Sequence, residues 1–475
     1  MRNELVFAAL AASALSHAVP KPQVEFDYAC NDAAKKLVGQ GFAAEDNWKG
    51  EEARAFFLQA VAADGKCLVA KLGAARNLSG PELKKVTEEV MPLVAAAPEL
   101  DKQVIAAFEA GRQGQPARQL ELFEKLRAAS PHVYRGHVWV AGAALGLQQY
   151  DKAIEASLKA AALQPTAGAP QGLLGWTYTQ QHKLPEAIAA YQKYVTLAPQ
   201  EPNSHDSLAD AYLAAGKFPE AIVEFEKAVG LPKPPFILAL DGVATAKVLS
   251  GDLEGARAAL TRYRDSARVP WQKPYASRFL AGTWMVEGKS DKALAALEQA
   301  IADGKPDVPV QSVYGWLFRS WYLVELGRWN EALAALTEAD KVPTSTFNPG
   351  QLSYVGRARW QHALRAHAGL GNQAEVEKDF AALKKALEGH DDPDGKDQLA
   401  YGEGLLASAK KDRPAALAAF KRCSDQHWQC RVALVEADPA GTKEVRDQFL
   451  GIGRRDPLYL VLRAKLLKPA AEKAK

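Results

Sequence analysis

Beyond its first residues, this 475-residue sequence has no apolar run long enough to cross a bilayer as a helix. It has almost no net charge: 59 basic residues face 56 acidic ones, leaving +3. That balance excludes a general nucleic-acid binder, which needs a basic stripe. Only four cysteines occur. They do not form two CxxC-like pairs, so a zinc site built from four cysteines is excluded, and no CxxCH signals covalent haem. Glycine (35) and proline (27) are too sparse for a disordered chain. No GxSxG, P-loop, HExxH or GxGxxG opening a βα unit is present. His132 and His137 are five apart, as are His362 and His367, whereas a helical metal pair wants i and i+4. The loop from His390 to Asp397 is acidic like a calcium loop. Pro393 interrupts it, and Tyr401 stands where a bidentate glutamate should be, so it reads as an acidic connector. No catalytic residue, metal or cofactor is expected.

What the sequence does have is repetition. Three copies of one pattern run YDKAIEASLKAAALQP (Tyr150 to Pro165), LPEAIAAYQKYVTLAP (Leu184 to Pro199) and FPEAIVEFEKAVGLP (Phe218 to Pro232). Their small residues, Ala153, Ala187 and Ala221, recur every 34 positions. A helix-turn-helix unit accounts for that period. In the third copy helix A holds Leu208, Ala209 and Tyr212, and Gly216 ends it, since glycine takes a left-handed backbone without steric cost. Helix B holds Ala221, Phe225 and Ala228 on one face. One such pair cannot bury its apolar side, so copies must stack.

From Tyr134 to Val229 the pattern closely resembles the tetratricopeptide repeat family. In the second copy Gly175, Tyr178, Ala187, Tyr191 and Pro199 stand at family positions. The resemblance implies an all-α fold: a right-handed α-α superhelix of about eight or nine helix-turn-helix units, with helix A of each unit lining the concave wall. It also implies binding of a protein or peptide partner in that groove.

The start, MRNELVFAALAASALSHA, reads as a secretory signal peptide cleaved after Ala18. Arg2 gives the basic region, Leu5 to Leu15 the apolar run, and Ser16-His17-Ala18 the small-x-small site. The mature chain is then expected to be periplasmic or secreted. Alanine-rich repeats with such a leader resemble those of bacterial envelope proteins. Four cysteines allow three connectivities. Cys30 with Cys67 and Cys423 with Cys430 is the expected pairing, because the two pairs sit at opposite ends of a solenoid. Disulfides there suit an oxidising compartment and resist fraying of the end units.

The chain divides into the leader (1–18), divergent N-terminal repeats (19–114), clear units (115–235), looser units (236–345), C-terminal repeat-like units (346–455) and a capping helix with a basic tail (456–475). In the first unit Ala53, Phe57 and Ala60 repeat the offsets of Ala221, Phe225 and Ala228. After Leu231 the small positions fall at Ala256, Ala293 and Ala332, so the intervals lengthen to 35, 37 and 39. Leu458 to Leu467 suits a capping helix, and the lysines and Arg463 of the tail read as solvated.

In the resembled family, groove contacts come from the second, fifth and ninth positions of each unit. Counted from Tyr134, Gly168 and Pro202, these are Arg135, Val138, Gly142, Ala169, Gly172, Trp176, Asn203, Asp206 and Asp210. Looser counting adds Tyr275, Arg278, Tyr314, Trp321, Gln361 and Arg365. The clear units lack the lysines and asparagines of a carboxylate clamp. Trp139, Trp284, Trp316 and Trp360 are expected to pack between helices. Two functional readings follow. One is a non-catalytic scaffold for a protein or peptide partner, with aromatic anchors. The other is a glycan-binding accessory protein that stacks sugars on Trp176, Tyr275, Tyr314 and Trp321.

Overall fold

The computed structural model describes residues 23–467, apart from 48, 76–77, 79, 232–234, 306, 390–391, 425–426 and 452. The signal peptide expected over residues 1–18 lies outside the described residues. Those described form 25 helices and no extended sheet. The first four are α1 (Asp32–Glu45), α2 (Gly50–Ala63), α3 (Leu68–Ala75) and α4 (Gly80–Val94). Nine regular pairs follow. They begin with α5 (Glu99–Arg112) and α6 (Pro116–Ala129), α7 (Tyr134–Gly146) and α8 (Tyr150–Leu163), and α9 (Ala169–Gln180) and α10 (Leu184–Leu197). Next come α11 (Pro202–Ala214) and α12 (Phe218–Gly230), α13 (Ala239–Leu249) and α14 (Leu253–Asp265), and α15 (Gln272–Val286) and α16 (Ser290–Gly304). The last three pairs are α17 (Pro309–Glu325) with α18 (Trp329–Asp340), α19 (Pro349–Gly369) with α20 (Gln373–Ala386), and α21 (Pro393–Ala409) with α22 (Arg413–Phe420). The chain closes with α23 (Trp428–Ala437), α24 (Lys443–Gly451) and α25 (Pro457–Leu467).

Every one of the nine pairs turns at a single left-handed residue: Gly114, Gln148, His182, Gly216, Gly251, Gly288, Gly327, Gly371 and Lys411. The first four are each 34 apart, so the strict period reaches back to α5. Gln148 and His182 take this conformation, at φ 58°, without being glycine. They give up some backbone comfort because the next helix must start in register.

On several B helices an aromatic residue fills a notch left by glycine on a neighbouring A helix. A Cβ on Gly175 would lie 2.7 Å from the Tyr191 ring, and one on Gly242 would strike the Phe225 ring. Phe57 is seated between Gly41 and Gly73 in the same way. Ala53, Phe57 and Ala60 are buried, as their likeness to Ala221, Phe225 and Ala228 predicts.

Successive A helices from α7 to α21 pack on one another, while successive B helices make no comparable contacts. The A helices therefore lie on the shorter arc and form the concave wall of the solenoid. Both disulfides form. Cys30–Cys67 joins the entry of α1 to the entry of α3, and Cys423–Cys430 joins the turn after α22 to the first turn of α23. Asp392 caps α21 by accepting from the Gly395 backbone N–H, Asp394 pairs with Arg357, and Asp397 holds Ser424. The acidic connector is a helix start tied to its neighbours.

The end of the chain does something the repeat pattern does not prescribe. Helix α25 reads PLYLVLRAKLL and is apolar nearly all round, so it needs cover on every side. It finds that cover by turning back into the groove, against α15 and α13 on one side and α23 and α24 on the other. Leu458, Tyr459, Leu460, Val461, Leu462 and Leu466 join Trp321 and Tyr322 in one core. Burial of six such side chains is worth on the order of 10 kcal/mol before ordering costs. Lys465, expected in a solvated tail, pairs with buried Glu325 at 2.9 Å and with Glu436 at 2.7 Å.

Candidate functional site: a chamber in the concave wall

The returning C-terminal segment divides the groove. On its N-terminal side a chamber of about 890 Å³ remains. The A helices α7, α9 and α11 form its wall, the end of α1 borders it, and Trp428 with Gly453–Asp456 closes its far side.

Of the nine groove positions counted in the clear units, eight line this chamber: Val138, Gly142, Ala169, Gly172, Trp176, Asn203, Asp206 and Asp210. The small residues on α7 and α9 leave the space. Trp176 projects into it and stays 41% exposed. Asn203 donates to the Tyr194 hydroxyl at 3.3 Å, and that hydroxyl donates to Asn47 at 2.6 Å. The loop after α1 is thereby fastened to the wall 147 residues away.

The remaining one of the nine, Arg135, is not available to a ligand. It is 1% exposed. Its Nε and Nη2 donate to Glu25 at 2.9 and 2.6 Å, and Nη1 donates to Asp46 at 2.6 Å. The N-terminal lead-in makes this pocket. The Tyr134 and Arg135 backbone N–H groups, which open α7 and lack helical partners, donate to the Gln23 and Val24 carbonyls. Phe26 then stacks on Trp139, inside an aromatic cluster with Phe42, Phe108 and Phe123. Burial lifts the Glu25 carboxyl above its usual range, although Arg135 pulls it down.

The residues counted in the later units do not form a second open wall. Tyr275 donates its hydroxyl to Asp241 at 2.6 Å. Arg278 is buried among Tyr275, Tyr314 and Phe318 and donates to Gln311 at 2.8 Å. Burial brings its pKa down to about 10. Tyr314 packs edge-on against Tyr354, Gln361 bonds Gln398, and Arg365 pairs with Glu325. Trp321 is 1% exposed and belongs to the core under α25. Trp176, Tyr275, Tyr314 and Trp321 therefore share no stacking face. Lengthening intervals shift the count in these units, and α25 covers the wall it was meant to find.

The chemistry of the chamber centres on a residue the repeat pattern does not mark. Arg455, in the connector before α25, reaches across the groove to α11 and α13. Its Nη1 donates to Asp206 at 2.9 Å and to Asp210 at 3.2 Å, while Nε donates to Asp241 at 2.9 Å and Nη2 to the Leu238 carbonyl at 2.9 Å. The guanidinium lies over the Phe225 ring at 5.1 Å. Burial works against its charge, but the three carboxylates outweigh burial and hold its pKa well above normal. Desolvation pushes Asp210 up to about 7. Arg455 opposes that rise, while Asp206 and Asp241 add to it. Asp206 is raised by burial too. A signal existed in the sequence: Asp206, Asp210 and Asp241 form an acidic row on consecutive A helices, and Arg454-Arg455 is a basic pair that could meet it.

Parts of the chain are similar to known proteins. A family model described as tetratricopeptide repeat matches residues 106–172, 173–235 and 285–346. The chain carries tetratricopeptide repeats over these residues. Among solved structures, a thermophilic tetratricopeptide repeat protein of Thermus thermophilus is 17% identical, with a TM-score of 0.32, covering 35% of this chain and 91% of its own. A tetratricopeptide repeat protein of Parabacteroides merdae is 12% identical, with a TM-score of 0.39, covering 55% of this chain and 98% of its own. YrrB, described as having an unusual peptide-binding site, is 18% identical, with a TM-score of 0.29, covering 39% of this chain and 93% of its own. No curated protein matches the chain. No described helix is long and apolar enough to cross a membrane.

Proposed function

We propose that this tetratricopeptide repeat protein is a non-catalytic interaction scaffold of the cell envelope, whose chamber takes a segment of a partner protein. One observation carries this reading: eight family groove positions from three consecutive units face a single chamber, with Trp176 exposed at its wall. The wall is preorganised. Its helices are locked by glycine notches and by bonds such as Tyr194 to Asn47, so a partner meets little ordering cost on the scaffold side. An exposed tryptophan in a concave site is a typical anchor for a protein segment. The envelope assignment is supported by the leader pattern and by the two disulfides.

The test is affinity capture from an envelope extract, with the disulfide-intact chain from Val19 as bait. A Trp176→Ala, Asn203→Ala variant serves as control, since both residues line the chamber. One dominant protein held by the wild type and lost by the variant is the expected result. Equal capture by both would move the binding site off the chamber.

A further inference from the structure

We propose that Gly453–Asp456 is a built-in occupant of the groove, and that the partner segment carries an arginine which displaces Arg455 from Asp206, Asp210 and Asp241. The inference rests on the groove reading above and names the partner's chemistry.

Residues 453–456 are irregular and reach α11 and α13 across the groove as a bound peptide would. It is pressed to the wall: a Cβ on Gly453 would strike the Leu213 carbonyl oxygen. Its arginine is recognised by a fork of carboxylates, one backbone carbonyl and an aromatic face. Those are the groups that select guanidinium over ammonium, because they match its plane and its several donors. Three carboxylates meet this one guanidinium, so the receptor offers more acceptor oxygens than its occupant uses. Asp210 has its side chain 44% exposed. It lines the chamber beside Asp206, which gives an incoming arginine a first contact before Arg455 leaves.

Exchange at this point need not unfold the end of the chain. Helix α25 keeps its own apolar core and the Lys465–Glu325 pair, both independent of Arg455. The occupant is thus held by a local set of polar contacts, and a competitor has to replace only those. A partner offering arginine beside a small residue meets the acidic row, while the tryptophan side of the chamber takes its flanking residues.

The experiment uses the full mature chain and a synthetic peptide of residues 451–458, Gly-Ile-Gly-Arg-Arg-Asp-Pro-Leu, with a second peptide whose fifth residue is alanine. Binding is read by calorimetry to the wild type, to Arg455→Ala and to Arg455→Ala with Asp206→Asn. Arg455→Ala is expected to bind the arginine peptide at least tenfold tighter than the wild type. The alanine peptide and the Asp206→Asn background are each expected to lose at least tenfold. In the wild type, excess arginine peptide should speed hydrogen exchange at the Leu458 and Tyr459 amides, which Asp456 holds. Equal binding to wild type and Arg455→Ala, or none to either, overturns the proposal. Should Arg455→Ala fail to fold, Arg455→Lys keeps the charge without the fork and is expected to gain at least threefold. If neither variant folds, Arg455 is a structural tie and the proposal falls. Absence of peptide binding alongside Trp176-dependent capture removes this inference and leaves the scaffold reading standing. Peptide binding without such capture shows that Arg455 can be exchanged, but it overturns the scaffold reading and with it the displacing partner.

Discussion

Arg135 offers the sharpest contrast between counting positions and reading contacts. Position counting assigns it to the groove, whereas the structure buries it between Glu25 and Asp46. Arg135→Met keeps the length and packing of the side chain and removes the charge. Two carboxylates then remain buried with no cation between them. Breaking a buried pair in this way costs about 3–5 kcal/mol. Glu25→Gln should be far milder, about 1 kcal/mol, the scale of one ordinary hydrogen bond. The electrostatics supply the reason. Burial already outweighs Arg135 at Glu25 and raises its pKa, so the fold favours the neutral form more than the unfolded chain does. The amide imitates that form, and Asp46 still answers Arg135. A long repeat array does not melt as one unit, so a global midpoint is a blunt readout. Hydrogen exchange at the Tyr134 and Arg135 amides is local, because both donate to the lead-in. Arg135→Met should speed exchange there by roughly 100-fold or more, the equivalent of that lost pair, and Glu25→Gln by less than tenfold. Exchange within threefold of wild type in Arg135→Met, together with loss of the captured partner, would refute the argument and return Arg135 to the groove.

Three further outcomes are expected. Replacing the Cys30–Cys67 pair with serines should destabilise the first units by about 4 kcal/mol, and replacing Cys423–Cys430 should cost about 2.5, since the closed loops span 37 and 7 positions; fragments released by limited proteolysis should start from the affected end. His362 is buried, and burial, aided by Arg365, brings its pKa down to about 3, so the folded state refuses a proton that the unfolded chain accepts below about 6.5. Stability should therefore fall as pH drops from about 6.5 towards 3, by at most about 4 to 5 kcal/mol from this group, and urea titrations of His362→Gln should show a flatter slope across that window. Gly242→Ala places a methyl against the fully buried Phe225 ring and should cost about 1–3 kcal/mol, with partial recovery in the Phe225→Leu background, measured by thermal unfolding.

The sequence was most informative where its period was strict. In the units that step by 34, a fixed count from Tyr134, Gly168 and Pro202 reaches eight residues of one chamber, because equal spacing returns the same helix face each time. The burial of Ala53, Phe57 and Ala60 was legible from their offsets within one helix. Arg135 was misplaced because its partners come from the lead-in and the loop after α1, 110 and 89 positions away, and period carries no information about such meetings. Trp321 and Tyr275 were misplaced for two reasons: loops of uneven length put the count out of phase, and α25 covers their wall. The composition of α25, apolar on every side, did hold a clue. A helix of that kind cannot sit at an exposed end, and the groove was the place left to bury it.

A solenoid is ordinarily an open spring: each coil touches the next, and the two ends are free to draw apart. Arg455 alters that mechanics. It fastens a point near the end of the chain to coils 214 and 249 residues upstream, so the pitch between them is set by a clasp as well as by the sum of small rotations. With the clasp shut, pulling on the ends loads one guanidinium and its three carboxylates before any coil opens. With the clasp undone by a competing arginine, the same load passes to the apolar core of α25 and its Lys465–Glu325 pair. A partner's arrival would then be felt as a softer spring.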